Sequence, residues 1–389
     1  VSETKSSATA PLAGVKVVEF CHVAAGPFCS MLLADMGADV IKVESPDGDT
    51  MRQWPPHSDG FSENFASLNR NKRSIALDLK NPADNAIAVR LIGEADVVVE
   101  NNRPGAMQRL GLSYDRFAQE MPSLIYCSLS AYGQDGPRAG EGGFDLTVQA
   151  MSGIMSVTGN EGGEPVKCGI PISDFATGLY AAFSIASLLT RVRQGCKGGY
   201  IDVSMLGASL AIAALQTSEY FASGRDPRAL GAAHPRNAPY EAFTASDGSF
   251  VLAAGNDRLW RSVCEVVGRP DLFEDERFVT TIDRARNQKE LARILNGEFA
   301  RRTVAELLED LRRAGVPCSS INSYSQALSD IQVEHMGWVR EMALPNGVHT
   351  RTFASPVRID GQSPPIYKAP PALDEHGESI RRSLLTPAI

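Results

Sequence analysis

Leu12-Ala-Gly-Val-Lys-Val-Val-Glu-Phe20 runs into the turn-forming Cys21-His-Val-Ala-Ala-Gly-Pro27, then an apolar stretch to Met36, then Asp39-Val-Ile-Lys-Val-Glu44. Residues 15–20 and 39–44 read as strands, and 26–36 as the helix between them. A strand, a crossover helix and a second strand make a βαβ unit, so the two strands lie parallel. The rhythm returns downstream. Residues 74–79 read as a strand, 82–93 as a helix and the valine-rich 96–100 as a strand; helices at 104–110 and 114–120 lead to a strand at 124–128. The economical fold is α/β, a large doubly wound, Rossmann-like domain with a mostly parallel sheet and helices on both faces.

Working outward, a chain of 389 residues exceeds one ordinary core. Residues 1–224 are expected to form the N-terminal part of the large α/β domain, 225–325 a small α+β domain, and 326–389 a segment returning to the large one. Gly224-Arg-Asp-Pro-Arg-Ala-Leu-Gly-Ala-Ala-His-Pro235 is polar and turn-rich, as a linker would be. Before it, residues 131–173 make a long connection interrupted by a helix at 144–155, and 205–221 reads as one long apolar helix. Beyond it, strands at 240–243 and 249–253 pair across Asp247-Gly248, and amphipathic helices start near Asp257, Arg284 and Thr303. Strands at 339–344 and 349–353 follow, and Pro364, Pro365, Pro370 and Pro371 mark an extended tail.

Composition excludes several classes. Thirty-eight Lys and Arg against 46 Asp and Glu leave a net charge of -8, without the footprint of a nucleic-acid or anionic-membrane binder. Seven scattered cysteines with no Cys-x-x-Cys pair point to reduced thiols in a cytoplasmic protein without a zinc site. The opening ten residues lack a signal peptide's basic start and apolar core and read as a flexible lead-in. No apolar run is expected to span a membrane, because Ser184, Ser187 and Thr190 interrupt the most apolar helix. The loop after the first strand carries no Gly-x-Gly-x-x-Gly, which counts against NAD, and no metal-ligand, Walker or nucleophile-elbow spacing occurs.

Cys168-Gly-Ile-Pro-Ile-Ser-Asp-Phe-Ala-Thr-Gly178 ends at an apolar run of helical period that reaches Arg193. Asp174 is expected at the helix N-cap, where its carboxylate satisfies first-turn amides and is itself kept ionised by the helix dipole. In its plainest form that is a structural role.

Several blocks, taken together, give this aspartate chemistry. Val23-Ala-Ala-Gly-Pro27, Asp35-Met-Gly-Ala-Asp-Val-Ile-Lys-Val-Glu44, Asn69-Arg-Asn-Lys-Arg-Ser74, Leu77-Asp-Leu-Lys80, Val99-Glu-Asn101, Tyr132-Gly-Gln-Asp-Gly-Pro137, Gly143-Phe-Asp145, Asp174-x-x-x-Gly178 and Gly199-Tyr-Ile-Asp-Val203 occur in order. In this the chain resembles the class III CoA-transferase family, also called the CaiB/BaiF family. The resemblance puts Asp174 on the catalytic aspartate. A carboxylate there can attack an acyl-CoA thioester, giving a mixed anhydride and then an aspartyl-CoA thioester, with helix-start amides stabilising the oxyanions.

The same resemblance implies CoA contacts at Val23, Ala25, Leu77, Leu79, Lys80, Asn101, Asn102, Ala106, Arg109 and Tyr132, and a homodimer of interlocked chains. Apart from Asp174, Leu77 and Leu79 could equally be sheet core, and Lys80 and Arg109 solvated cations. Formyl-CoA and oxalate transferases carry glutamine where this chain has Ala24, so the pattern is closer to the succinyl, glutaryl and hydroxymethylglutaryl branch. For such dicarboxylates Arg52, Arg70, His234 or Arg236 could meet the distal carboxylate. Partners are then acyl-CoA and small carboxylic acids, with CoA carried as substrate. Related α-methylacyl-CoA racemases need a histidine where this chain has Phe144, which cannot exchange a proton. A non-catalytic CoA-binding protein is the remaining alternative, and the intact Asp174 argues against it.

Overall fold

A computed structural model describes residues 10–385. The flexible lead-in expected over 1–10 thus lies, but for Ala10, outside the described residues. β1 (Lys16–Phe20), β2 (Asp39–Glu44), β3 (Lys72–Ala76), β4 (Val97–Glu100), β5 (Ile125–Ser130) and β6 (Gly199–Ser204) form one six-stranded sheet in the order β3-β2-β1-β4-β5-β6. Every pairing in it is parallel. β4 reads Val-Val-Val-Glu and is buried throughout, as befits a strand covered on both faces. The order reverses between β1 and β4, which opens a crevice beyond their carboxyl ends.

Residues of alternate parity supply two cores. Val17, Val97, Val99, Ile125 and Cys127 face α1 (Ala25–Asp35), which contributes Cys29 and Leu33. Val18, Val98 and Tyr126 face the other way, onto α2 (Pro82–Gly93) with Ala88, Leu91 and Ile92. Each such Val, Leu or Ile contributes about 1.5–3 kcal/mol by leaving water. Short helices α3 (Ala106–Arg109) and α4 (Tyr114–Phe117) follow β4, and α5 (Asp145–Met151) follows β5. α6 (Ile172–Arg193) then adds Ala181, Ile185 and Leu189 to the first core.

Three expectations shift here. By length and composition α6 is long and apolar enough to cross a membrane, contrary to the reading of its serines; in this fold it is a core helix lying beside α1. The helix expected over 144–155 ends at Met151, followed by Gly153 at φ 83°. The helix expected over 205–221 is two, α7 (Met205–Ile212) and α8 (Ala214–Ser223), because Ala213 leaves helical geometry.

The proline-marked tail is ordered along the exposed edge of β3. Ala76 N donates to Asp374 Oδ1 at 2.8 Å, His376 N to the Ser74 carbonyl at 3.0 Å and Tyr367 N to Asn71 Oδ1 at 2.8 Å. That blocks an edge open to pairing with other chains. A helix, Gly377–Leu385, ends the described chain.

By its contacts the chain divides into two compact units: residues up to Ile154 with Lys167–Arg225 and those from Gln332 on, and Met155–Val166 with Asp226–Ile331. Residues 155–166, read above as part of the 1–224 segment, therefore go with the second unit. In that unit β7 (Tyr240–Thr244) and β8 (Ser249–Ala253) pair antiparallel, and β9 (Cys318–Ser320), which the sequence did not mark, pairs with β8. Phe243, Phe250, Trp260, Phe299 and Leu311 form its core.

Candidate active site

α6 starts at Ile172 with Pro171 ahead of it, so Asp174 is the third helical residue and not the cap. The capping carboxylate comes from another helix. Asp145, first residue of α5, accepts from Ser173 N at 2.9 Å and from Asp174 N at 3.4 Å through Oδ1. Its Oδ2 accepts from Gln149 Nε2 at 2.6 Å, and Gln149 Oε1 accepts from Cys168 N at 2.8 Å. Ile172 N donates to the Ile170 carbonyl and Phe175 N to that of Pro171. All four amides of the first turn are thereby engaged, which corrects the expectation that they stabilise oxyanions.

The ionisation expectation is also corrected. Burial first, and then the Asp145 carboxylate, push the Asp174 carboxyl up to about 7. Desolvation and a like charge outweigh the favourable helix end. The result is a carboxylate that is basic for its kind and half ionised at neutral pH.

The turn after Asp174 rests against the first turn of α1. A Cβ on Gly178 would stand 2.8 Å from the Ala25 carbonyl oxygen and 2.9 Å from the Phe28 ring, so only glycine allows this approach. Phe28 and Phe175 meet edge-on, with centroids 4.8 Å apart. No side chain caps α1 among the described residues, and its first turn holds no acid. Gly143 makes a second close approach: a Cβ there would lie 2.6 Å from that of Ala131 and 3.5 Å from the Tyr132 hydroxyl. The Tyr132 hydroxyl is thus brought beside Gly143, just ahead of α5. Phe144, at the racemase histidine's position, is 73% exposed.

The loops beyond β1 and β4 are clipped together at the crevice. Asn101 Oδ1 accepts from His22 N and its Nδ2 donates to the His22 carbonyl, both at 2.8 Å. Asn102 Nδ2 donates to the Phe20 carbonyl at 3.0 Å. Ala25 is buried at the head of α1, between Ala24 and Gly26, and Ala106 opens α3. Leu79 and Lys80 join Arg90, Arg109 and Arg116 around a basin of 630 Å³ on one side of α3. A second cavity of 490 Å³, with Glu100, Tyr126, Ser128 and Tyr200 in its lining, shares the α3 segment as a wall. Leu77 is buried in the second core, so its side chain packs the sheet and does not line the basin.

Of the four cations considered for a distal carboxylate, two are structural. Arg52 forks onto Glu44 at 2.7 and 2.8 Å, donates to the Pro371 carbonyl and stacks 3.7 Å from the Phe65 ring centroid. Arg70 is buried and forks onto Asp35 at 2.6 and 3.0 Å. His234 and Arg236 belong to the second unit. His234 Nδ1 accepts from Arg236 N and Asn237 N, both at 3.1 Å, and burial followed by the Arg236 charge holds its pKa below the ordinary value. It is a neutral acceptor, not a cation.

Asp145 and Gln149 were not assigned roles from sequence. Their signal was faint: an acid opening a helix after Gly142-Gly143, with glutamine four residues on, is legible only once α6 is seen to need a cap.

A family model for CoA-transferase family III matches residues 12–377. Succinate--glutarate CoA-transferase of Agrobacterium fabrum is 38% identical over 385 residues, covering 97% of this chain and 96% of that one. Acetyl-CoA:oxalate CoA-transferase of Acetobacter aceti is 37% identical over 387 residues, covering 99% and 98%. The crystal structure of a CaiB/BaiF family protein from Brucella suis superposes with a TM-score of 0.85 at 38% identity, covering 96% of this chain and 99% of that one.

Proposed function

This chain belongs to CoA-transferase family III, and from that premise we propose that it moves CoA from a short dicarboxylyl-CoA such as succinyl-CoA to a free carboxylic acid, with Asp174 as nucleophile. The observation that carries the reading is the Asp174 carboxyl, raised to about 7 and held at the head of α6 by Asp145. A carboxylate of that basicity attacks a thioester carbonyl better than an ordinary one, and it is still ionised in half the molecules at pH 7.

The steps balance without a net proton. Asp174 Oδ bonds to the acyl carbon, the C–S bond breaks, and a mixed anhydride and CoA thiolate result. The thiolate attacks the aspartyl carbonyl, the anhydride C–O bond breaks, and the donor carboxylate leaves. The acceptor carboxylate then attacks the aspartyl thioester and the same two steps run in reverse.

The phosphates of CoA suit the basin ringed by Lys80, Arg90, Arg109 and Arg116. From there the pantetheine arm would cross the crevice past Asn101 and Asn102, along Val23 and Ala25, towards Tyr132 and Asp174. Ala24 argues against oxalate, yet the Acetobacter aceti relative carries oxalate in its name, so oxalate belongs among the acceptors tried.

The test is incubation of the chain with succinyl-CoA and a panel of glutarate, oxalate and longer dicarboxylates, read by mass. Transfer to glutarate is expected, with Arg109→Ala raising KM for the thioester more than it lowers kcat. Failure to exchange with any pair would overturn the reading. We also propose a homodimer, because Leu146, Leu179, Phe183, Leu215 and Phe221 are exposed on α5, α6 and α8. A sedimentation mass near twice 41.8 kDa is expected, and a mass of one chain would remove that part.

A further inference from the structure

The loop of residues 21–25 is gripped by buried charges that the chemistry above does not use. Lys42 on β2 is fully buried; its Nζ donates to the Cys21 carbonyl at 2.8 Å and pairs with Asp49 at 3.0 Å and Glu19 at 3.3 Å. Asp49, also buried, accepts from Val23 N at 3.2 Å and from Met51 N at 3.0 Å. Lys72 Nζ reaches the Pro27 carbonyl at 2.9 Å and Glu19 at 3.1 Å, and the Ser30 hydroxyl of α1 donates to Glu19. With Asn101 on His22, the backbone at 21, 22, 23 and 27 is each held by a side chain from a distant part of the chain.

Val23 stands at φ 62°. A β-branched residue is strained in that left-handed region and persists there only when its surroundings over-determine it. Two acids and two lysines buried together are a poor device for stability, since apolar residues of equal volume commonly do as well or better. What they supply here is a single conformation. The loop leads directly into the turn of α1 that Gly178 and Phe175 abut, one turn from Asp174.

We infer that Lys42 and Asp49 are positioning residues whose ion pair holds Val23 in its left-handed turn and so sets where the 21–25 loop stands against the nucleophile's helix. This rests on the transferase reading of Asp174. Burial alone would lower the Lys42 pKa, but Glu19, Asp49 and Glu44 hold it above the ordinary range; at Asp49 burial is the largest influence, yet Lys42 together with the Met51 and Val23 amides outweighs it and holds that carboxyl low. The pair is therefore charged at any pH at which the enzyme is assayed.

The experiment uses Asp49→Ala, which removes the acceptor for Val23 N yet leaves Lys42 its Glu19 partner, and the double variant Asp49→Ala/Val23→Gly. Deuterium exchange over residues 21–26 and steady-state kinetics are read in parallel with melting temperature. Asp49→Ala should lose protection in that segment and drop kcat about a hundredfold, as a small misplacement of reacting groups does. KM for the thioester should rise as well, because Val23 and Ala25 border the proposed path of the pantetheine arm. Glycine enters positive φ without strain, so the double variant should recover about tenfold in kcat. A merely structural role predicts no such rescue, because glycine further favours the unfolded chain. Unchanged protection and kcat in Asp49→Ala, or a folded double variant without recovery, would overturn the inference. If Asp49→Ala does not fold, Asp49→Asn, which keeps an acceptor for Val23 N but loses the Lys42 ion pair, should show a smaller loss of protection and kcat than that expected of alanine; no change in either would overturn the inference. A wild-type chain that transfers no CoA defeats the transferase reading alone, since the exchange data still decide whether Asp49 fixes the loop.

Discussion

Asp174→Ala is expected to lower kcat for CoA exchange at least about a thousandfold, the scale on which loss of a nucleophile is felt. Helix α6 should survive, because its first-turn amides are held by Asp145 and by local carbonyls and not by Asp174. The variant should even be more stable than wild type at high pH. Folding raises the Asp174 pKa to about 7 from 3.8, so the folded state binds the extra proton between those values. The stability this contributes is fully present below about 4 and is lost as pH rises through 7. Above 7 the wild-type chain holds an unwelcome buried charge, and Asp174→Ala or Asp174→Asn should melt higher than wild type at pH 8 and lose that advantage by pH 4. Hydroxylamine added during turnover should convert the wild-type aspartyl intermediate to a hydroxamate found by peptide mass at residue 174. A near-normal rate in the alanine variant would refute the mechanism.

The parts of this structure legible in sequence were those fixed by local pattern. Continuous valine in β4 reports a strand buried on both faces, and a crossover helix between β1 and β2 fixes their parallel pairing. The helix start near Asp174 was marked because a polar residue opening an apolar helix is a local event, though the cap itself was misread by three residues. Pro171 occupies the capping position, and no rule of local sequence says that a carboxylate 29 residues earlier will do the capping. The pKa went the wrong way for the same reason: the dipole is local, while burial and Asp145 are tertiary. Arg52 and Arg70 were indistinguishable from substrate-binding cations until Glu44 and Asp35 were seen to fork onto them. Ala213 breaks a helix whose apolar residues continue on either side, so composition held no mark of it. Residues 155–166 join a unit otherwise begun at Asp226, a non-local return that a linear reading cannot register.

Asp145→Asn isolates the charge that the local reading missed. Asparagine keeps a carbonyl oxygen for Ser173 N and Asp174 N, so the start of α6 should hold. Gln149 Nε2, which now donates to Asp145 Oδ2 at 2.6 Å, would face an amide NH2 unless it turns. Leaving one such donor unsatisfied costs about 1–3 kcal/mol, a modest loss read as a lower melting temperature. The kinetic effect has the opposite origin. Burial is the larger cause of the raised Asp174 pKa and Asp145 the second, so the variant's carboxyl should sit lower than wild type's yet above the ordinary value. The acid limb of kcat/KM, which in wild type should fall as pH drops through about 7, should move to lower pH. On the plateau above both limbs the rate should decline, because a less basic carboxylate is a weaker nucleophile. At pH 5 the order should invert, the variant outpacing wild type since more of its Asp174 is ionised. Asp145→Leu would remove charge and cap together, and should cost about 0.5–2 kcal/mol more for the lost cap. A crossing of the two pH–rate curves is the signature of a like charge acting on the nucleophile; curves that stay parallel would assign the whole shift to burial and leave Asp145 as a cap alone.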